Sequence, residues 1–220
     1  MIGKFFFDNM LRRRLEQMRF SKQNVALLLS LLFIYTILFY TFEESQIFWY
    51  LYTFTLLVGI AIATIAGDFK DELPTWKYLI FGVGYGTILY AIVKLGYIVL
   101  VKIDGSTAKT ISKFLNEYGP ANIWHYLLLI FIIVVGEELF WRGYIQQQLK
   151  KWVSPWIAVL ITSVLFAFSV WISGFVLGAV AALVTGLVWG FLYEWKKSMP
   201  LIIVSHEVFI LLLFMIAPLS

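Results

Sequence analysis

Seven apolar runs, at about 24–42, 47–66, 77–101, 122–147, 153–172, 174–195 and 198–217, fill most of this 220-residue chain. About twenty apolar residues carry a helix across a bilayer, and most of the runs reach that length. No ten-residue alternation of apolar and polar side chains points to a membrane barrel, so the spans are helices. With 61% hydrophobic and only 14% charged residues, the chain is too apolar for a soluble enzyme domain, a disordered tail or a disulfide-stapled module. It has no cysteine, which excludes thiol nucleophiles, cysteine-held metals and disulfides together. The fold expected is all-α: a polytopic membrane bundle of about seven transmembrane helices, or six with a half-span. An N-terminal amphipathic helix accompanies it.

The breaks between runs carry start signals. Ser154-Pro155 and Ser198-Met199-Pro200 each place a capping hydroxyl before a first-turn proline. If the N-terminus is inside, twelve Lys and Arg fall on inner segments, against three (Lys102, Lys109 and Lys113) on outer ones. This bias orients the chain, places the loop 102–121 outside and suits a bacterial plasma membrane. In the segment 1–22, Phe5, Phe6, Phe7, Met10, Leu11, Leu15 and Met18 alternate with basic residues. That pattern fits an interfacial helix on an anionic inner leaflet rather than a cleaved signal. Three sections follow: 1–22, the first three spans with their external loop over 23–121, and a four-span core over 122–220. In the sixth run Gly174, Gly178, Ala182, Gly186 and Gly190 recur every fourth residue, a stripe along which a neighbouring helix can approach closely. It suggests that this run is a central strut.

Ionisable groups inside a bilayer cost several kcal/mol and point to function. Lys94 lies about 10 Å from the end of its span and can snorkel to water. His125, beside Trp124, belongs to the interfacial aromatic belt. Glu137 and Glu138 interrupt an otherwise apolar helix. Glu138 and Arg142 are four apart and can pair. Glu137 points about 100° away and lacks such a partner, which suits a general base for water. The plain alternative is a Glu–Arg staple with a spectator Glu137. His206 falls at a matching depth on the last span, so Glu137 and His206 form a candidate acid–base pair. His206-Glu207 opens like the zinc motif H-E-x-x-H, but Ile210 stands at the second histidine position and the match fails.

The run Glu137-Glu138-x-x-x-Arg142, followed by a His-bearing helix, resembles the CAAX-protease and bacteriocin-processing (CPBP, or Abi) family of intramembrane endopeptidases. That family includes the Rce1-type CAAX prenyl endopeptidases. The resemblance covers roughly 122–217. It implies that Glu137 activates water for attack on a peptide carbonyl, that His206 stabilises the oxyanion, and that Glu138 and Arg142 support the site. No cofactor, metal or nucleic acid is implied; the partner is a membrane-embedded or lipidated peptide, cut near the cytoplasmic face. The second and third motifs depart from the family pattern. Val170, in Phe166-Ala167-Phe168-Ser169-Val170, stands where the family has a histidine. Ile210 stands where it has Asn or Asp. Ser169, Ser173 and Glu207 are the neighbouring polar groups that could substitute. Two readings therefore stay open: an active glutamate-type endopeptidase, and a pseudoprotease of the same fold that holds a membrane partner. A small transporter subunit is a weaker third, since it needs a polar path and the first two spans are nearly free of charge.

Overall fold

The computed structural model describes residues 2–219, with side chains from Lys22 onward. Helix α1 runs unbroken over Ile2–Glu43, so the basic N-terminal segment continues straight into the first span. The facing of Phe5 to Met18 lies outside the described side chains. After a short turn come α2 (Phe48–Ala66), α3 (Thr75–Ile103), α4 (Ser106–Tyr118), α5 (Ile123–Leu149), α6 (Pro155–Trp171), α7 (Val176–Lys196) and α8 (Met199–Ile216). Among the described residues, six helices are long and apolar enough to cross a membrane. The seventh, α6, has 17 residues, about 25 Å at the helical rise and short of a full hydrocarbon core. Both serine–proline signals open helices; Ser198 Oγ accepts from the Leu201 amide at 3.4 Å.

One expected loop is a helix. Between 102 and 121 the chain forms α4, whose start is held by Asp104 accepting from the Ser106 amide (3.0 Å) and hydroxyl (2.7 Å). Thr107 and Ile111 are buried and Phe114, Leu115 and Tyr118 face a cavity, while Lys109 and Lys113 stay exposed. Alternation of apolar and polar residues at helical spacing produces this amphipathic rod.

The two ends of the bundle differ. At the lysine-rich end, Lys151 Nζ reaches Gln23 (3.1 Å), Gln148 Nε2 donates to the Ala66 carbonyl (2.7 Å), and the Met199 amide donates to the Lys70 carbonyl (2.8 Å). Buried Glu194 gathers Lys150 (2.9 Å), Lys197 (2.7 Å) and Gln146 (3.0 Å). At the other end α4 lies against Phe42, to whose carbonyl Tyr118 donates (3.1 Å), and against Phe175, on which Phe114 stacks. Lys94 there donates to the Pro218 carbonyl (2.7 Å).

The centre of the bundle is α5, not α7 as the small-residue stripe suggests. Every residue from Phe140 to Leu149 is buried, including Arg142 and three consecutive glutamines. Such polar side chains are excluded from a lipid-facing helix and need protein partners. Only part of the α7 stripe is an interface: a Cβ on Gly186 or Gly190 would meet Ser163, Phe166 or Val159 of α6, whereas Gly174 faces open space at a left-handed turn.

A second seam, of α3 on α8, is tighter. A Cβ on Gly86 would lie 2.4 Å from the Ser205 carbonyl oxygen, and one on Gly82 2.7 Å from Val204. Backbone cannot yield as a side chain does. Gly86→Ala is therefore expected to push α3 off α8 and cost about 1–3 kcal/mol, as overpacking does. The control, Gly84→Ala, has nothing within 4 Å and should be neutral or slightly stabilising, since Ala favours helix. Thermal midpoints of the two variants in detergent test this. Equal midpoints would refute the seam.

Candidate active site

Glu137 and Glu138 occupy the short α-helical stretch Val135–Glu138 of α5, between π-helical segments at Leu129–Val134 and Leu139–Ile145. Wider turns of this kind are uncommon and recur at functional sites, where they re-aim side chains. Gly136 lets α2 come close: a Cβ there would sit 3.0 Å from Leu56 Cβ. From α8, reached about two turns after its Ser198 cap, comes His206.

These residues meet. Glu138 is fully buried, and its Oε1 accepts from Arg142 Nη1 (3.1 Å) and from His206 Nδ1 (2.7 Å). A carboxylate only accepts, so Nδ1 carries the proton and Nε2 is the free face of the ring. Nε2 lies 3.8 Å from Glu137 Oε2, beyond a direct hydrogen bond. Glu137 and His206 therefore share one site, as their matching depths lead one to expect, but the imidazole bonds to Glu138 and faces Glu137 across a wider gap. The reason is rotational, since one residue along a helix turns a side chain by about 100°. Glu138 lands under the ring and Glu137 beside it. The Glu138–Arg142 pair is present, but it is more than a staple because the same oxygen also holds the histidine.

Aromatic rings complete the setting. Trp189 of α7 stacks on the His206 ring (3.9 Å between centroids, 26° tilt), and its Nε1 donates to Ser205 Oγ (3.1 Å). The Arg142 guanidinium lies over Phe166 (4.7 Å) and Trp189 (5.6 Å), contacts that support a buried cation whose Nε and Nη2 have no hydrogen-bond partner. From α2, Tyr52 donates its hydroxyl to Glu137 Oε1.

Glu137 and His206 form the floor of a cavity of about 180 Å³. Its walls are aromatic and aliphatic, among them Phe48, Trp49, Tyr52 and Phe214, and it extends to α4 and Gly119-Pro120. Val170 and Ile210 both line it. Ser169 and Ser173 do not replace them as donors: their hydroxyls donate to the Phe166 (2.7 Å) and Val170 (2.6 Å) carbonyls of their own helix. Glu207 is not among the lining residues. His125 stacks on Trp49 at the α4 end, away from the floor. From Glu137 and His206 the cavity extends toward the end of the bundle away from the lysines. Among the described residues no cluster of three or more His, Asp or Glu has the geometry to hold a metal ion.

Sequence reasoning missed Tyr52, Trp189 and Glu194. Tyr52 reads like its neighbour Tyr50, yet Tyr50 is 77% exposed while Tyr52 points inward. Glu194 reads as part of the charged end at Lys196-Lys197, although it is buried.

No curated protein and no solved structure matches the chain. Residues 119–212 match the family model described as Type II CAAX prenyl endopeptidase Rce1-like, a stretch that contains Glu137, Glu138, Arg142, Val170, His206 and Ile210. That match is consistent with the CPBP family.

Proposed function

We propose that the chain is an intramembrane endopeptidase of the glutamate type. The observation that carries this is the 3.8 Å gap between Glu137 Oε2 and His206 Nε2 on the floor of an otherwise apolar cavity. One water can bridge such a span. In the reaction, the water oxygen bonds to a peptide carbonyl carbon as its proton passes to Glu137 Oε2 and the carbonyl π pair moves onto oxygen. With a proton on Nε2, His206 donates to that oxyanion, and Glu138 holds the ring through Nδ1. Collapse breaks the C–N bond, and the proton on Glu137 leaves with the amine. The two carboxylates, the guanidinium and one shared proton sum to neutrality, the state a low-dielectric site favours.

The substrate on this reading is a membrane-embedded or lipidated peptide. The membrane is a bacterial plasma membrane, with the lysine-rich end cytoplasmic. The cavity then opens away from the cytoplasm.

A second reading rests on Val170 and Ile210. Both are apolar and line the same cavity, so a pseudoprotease could seat a partner there without cutting it. The two separate by N-terminomics on membranes from cells expressing wild type or Glu137→Ala at matched levels. New termini confined to the wild type are the result expected. Identical termini would leave the pseudoprotease reading standing in its place.

A further inference from the structure

We propose that Tyr52 is a positioning residue of this site: it fixes one oxygen of Glu137 so that the other faces His206. This rests on the reading of Glu137 as the group that activates water. The two carboxylate oxygens have separate surroundings. Oε1 accepts the Tyr52 hydroxyl, and Oε2 lies 3.8 Å from His206 Nε2. A glutamate has three rotatable side-chain bonds, and in a cavity walled by apolar groups nothing else described bonds to its oxygens. Without the phenol, Glu137 would be free to turn away from the imidazole.

Tyr52 itself has little freedom. Its ring stacks on Phe48 (5.2 Å, 14°) and leans on Phe42 (6.5 Å). Its helix is held close to α5 along one face: Leu56, one turn on, packs where Gly136 lacks a side chain, and a Cβ on Gly59 would lie 3.5 Å from the Phe140 ring. The contact therefore joins two rigid helices, and the residue it holds directly follows the glycine that permits their approach. Tyr52 lies outside the stretch 119–212 that matches the family model. The first half of the chain thus contributes to the site as well as the second.

Tyr52→Phe keeps the ring and its stacking and removes only the hydroxyl, so the fold is retained. Two measurements test the role. In the first, the infrared spectrum of purified wild type minus that of Glu137→Gln isolates the carboxyl bands of Glu137. Those bands are expected to move when the subtraction is repeated in the Tyr52→Phe background, and to stay in place with the exposed control Tyr50→Phe. In the second, the rate of cutting at a terminus found by N-terminomics is measured on the corresponding peptide. Tyr52→Phe is expected to lower kcat about tenfold, the scale of a hydrogen bond to a charged group, with KM within about twofold because the cavity wall is unchanged. Unmoved bands overturn the proposal whatever the rates do. Moved bands with an unchanged kcat also overturn it, because the hydroxyl then holds Glu137 without serving the reaction. If the wild type cuts nothing, the endopeptidase reading fails on the second measurement while the first still decides whether Tyr52 fixes Glu137.

Discussion

Glu137→Gln is expected to slow cutting by about 10²- to 10⁴-fold, the range that general-base catalysis contributes, while folded yield stays the same or rises. Glutamine is nearly isosteric and its carbonyl oxygen still accepts from Tyr52, so packing is preserved. What disappears is the oxygen that takes a proton from water. It also removes a charge from an apolar cavity, and replacing a buried charge by a neutral group of similar shape is often neutral or stabilising. The measurement is the initial rate on an identified peptide at equal amounts of folded protein. A variant that cuts at the wild-type rate would end the role assigned to this glutamate.

Its neighbour should behave in the opposite way. Glu138→Ala strips both Arg142 and His206 of their shared acceptor inside the bundle, where both are at least 95% buried. Breaking a buried pair by removing one partner costs about 3–5 kcal/mol, because the surviving charge has nowhere to go. That is a large part of the stability of an ordinary domain. Arg142→Ala should act in the same direction, leaving Glu138 with the imidazole alone and emptying the space between Phe166 and Trp189. The readouts are yield of monodisperse protein in detergent and thermal midpoint. Unchanged values in both variants would show that the pair does not hold the bundle. On the proposed reading, two adjacent carboxylates are thus expected to give opposite phenotypes from similar substitutions.

Much of this was legible before any coordinates, for a physical reason. Lipid tolerates few polar groups, so the spans announce themselves by length and the site by its exceptions: Glu137, Glu138, Arg142 and His206 stand out because burying them is expensive. Matching depth along two helices was enough to bring Glu137 and His206 together. Rotation about the helix axis was not legible, because π-helical segments flank the glutamates and change which side chain faces which neighbour. This is why the imidazole bonds to Glu138. Tyr52 was hidden for a different reason. Its role depends on how closely α2 approaches α5, which Gly136 and Gly59 decide from distant positions in sequence. Helix α4 was passed over because its lysines, serines and threonines resemble a loop when read singly, although its apolar residues recur at helical spacing.

The tight lysine-rich end has a consequence for traffic. Below His206 the interior is filled by the Trp189 ring, the Arg142 guanidinium and then the Gln146–Glu194 network with its two lysines. The chamber is therefore a cul-de-sac. On the endopeptidase reading a polypeptide is not threaded through it as through a pore; it enters as a chain end or a bent loop, and both fragments leave by the way they came. On that reading turnover would be set by how fast the first fragment leaves, and a slow-leaving fragment would act as a stopper against the next guest.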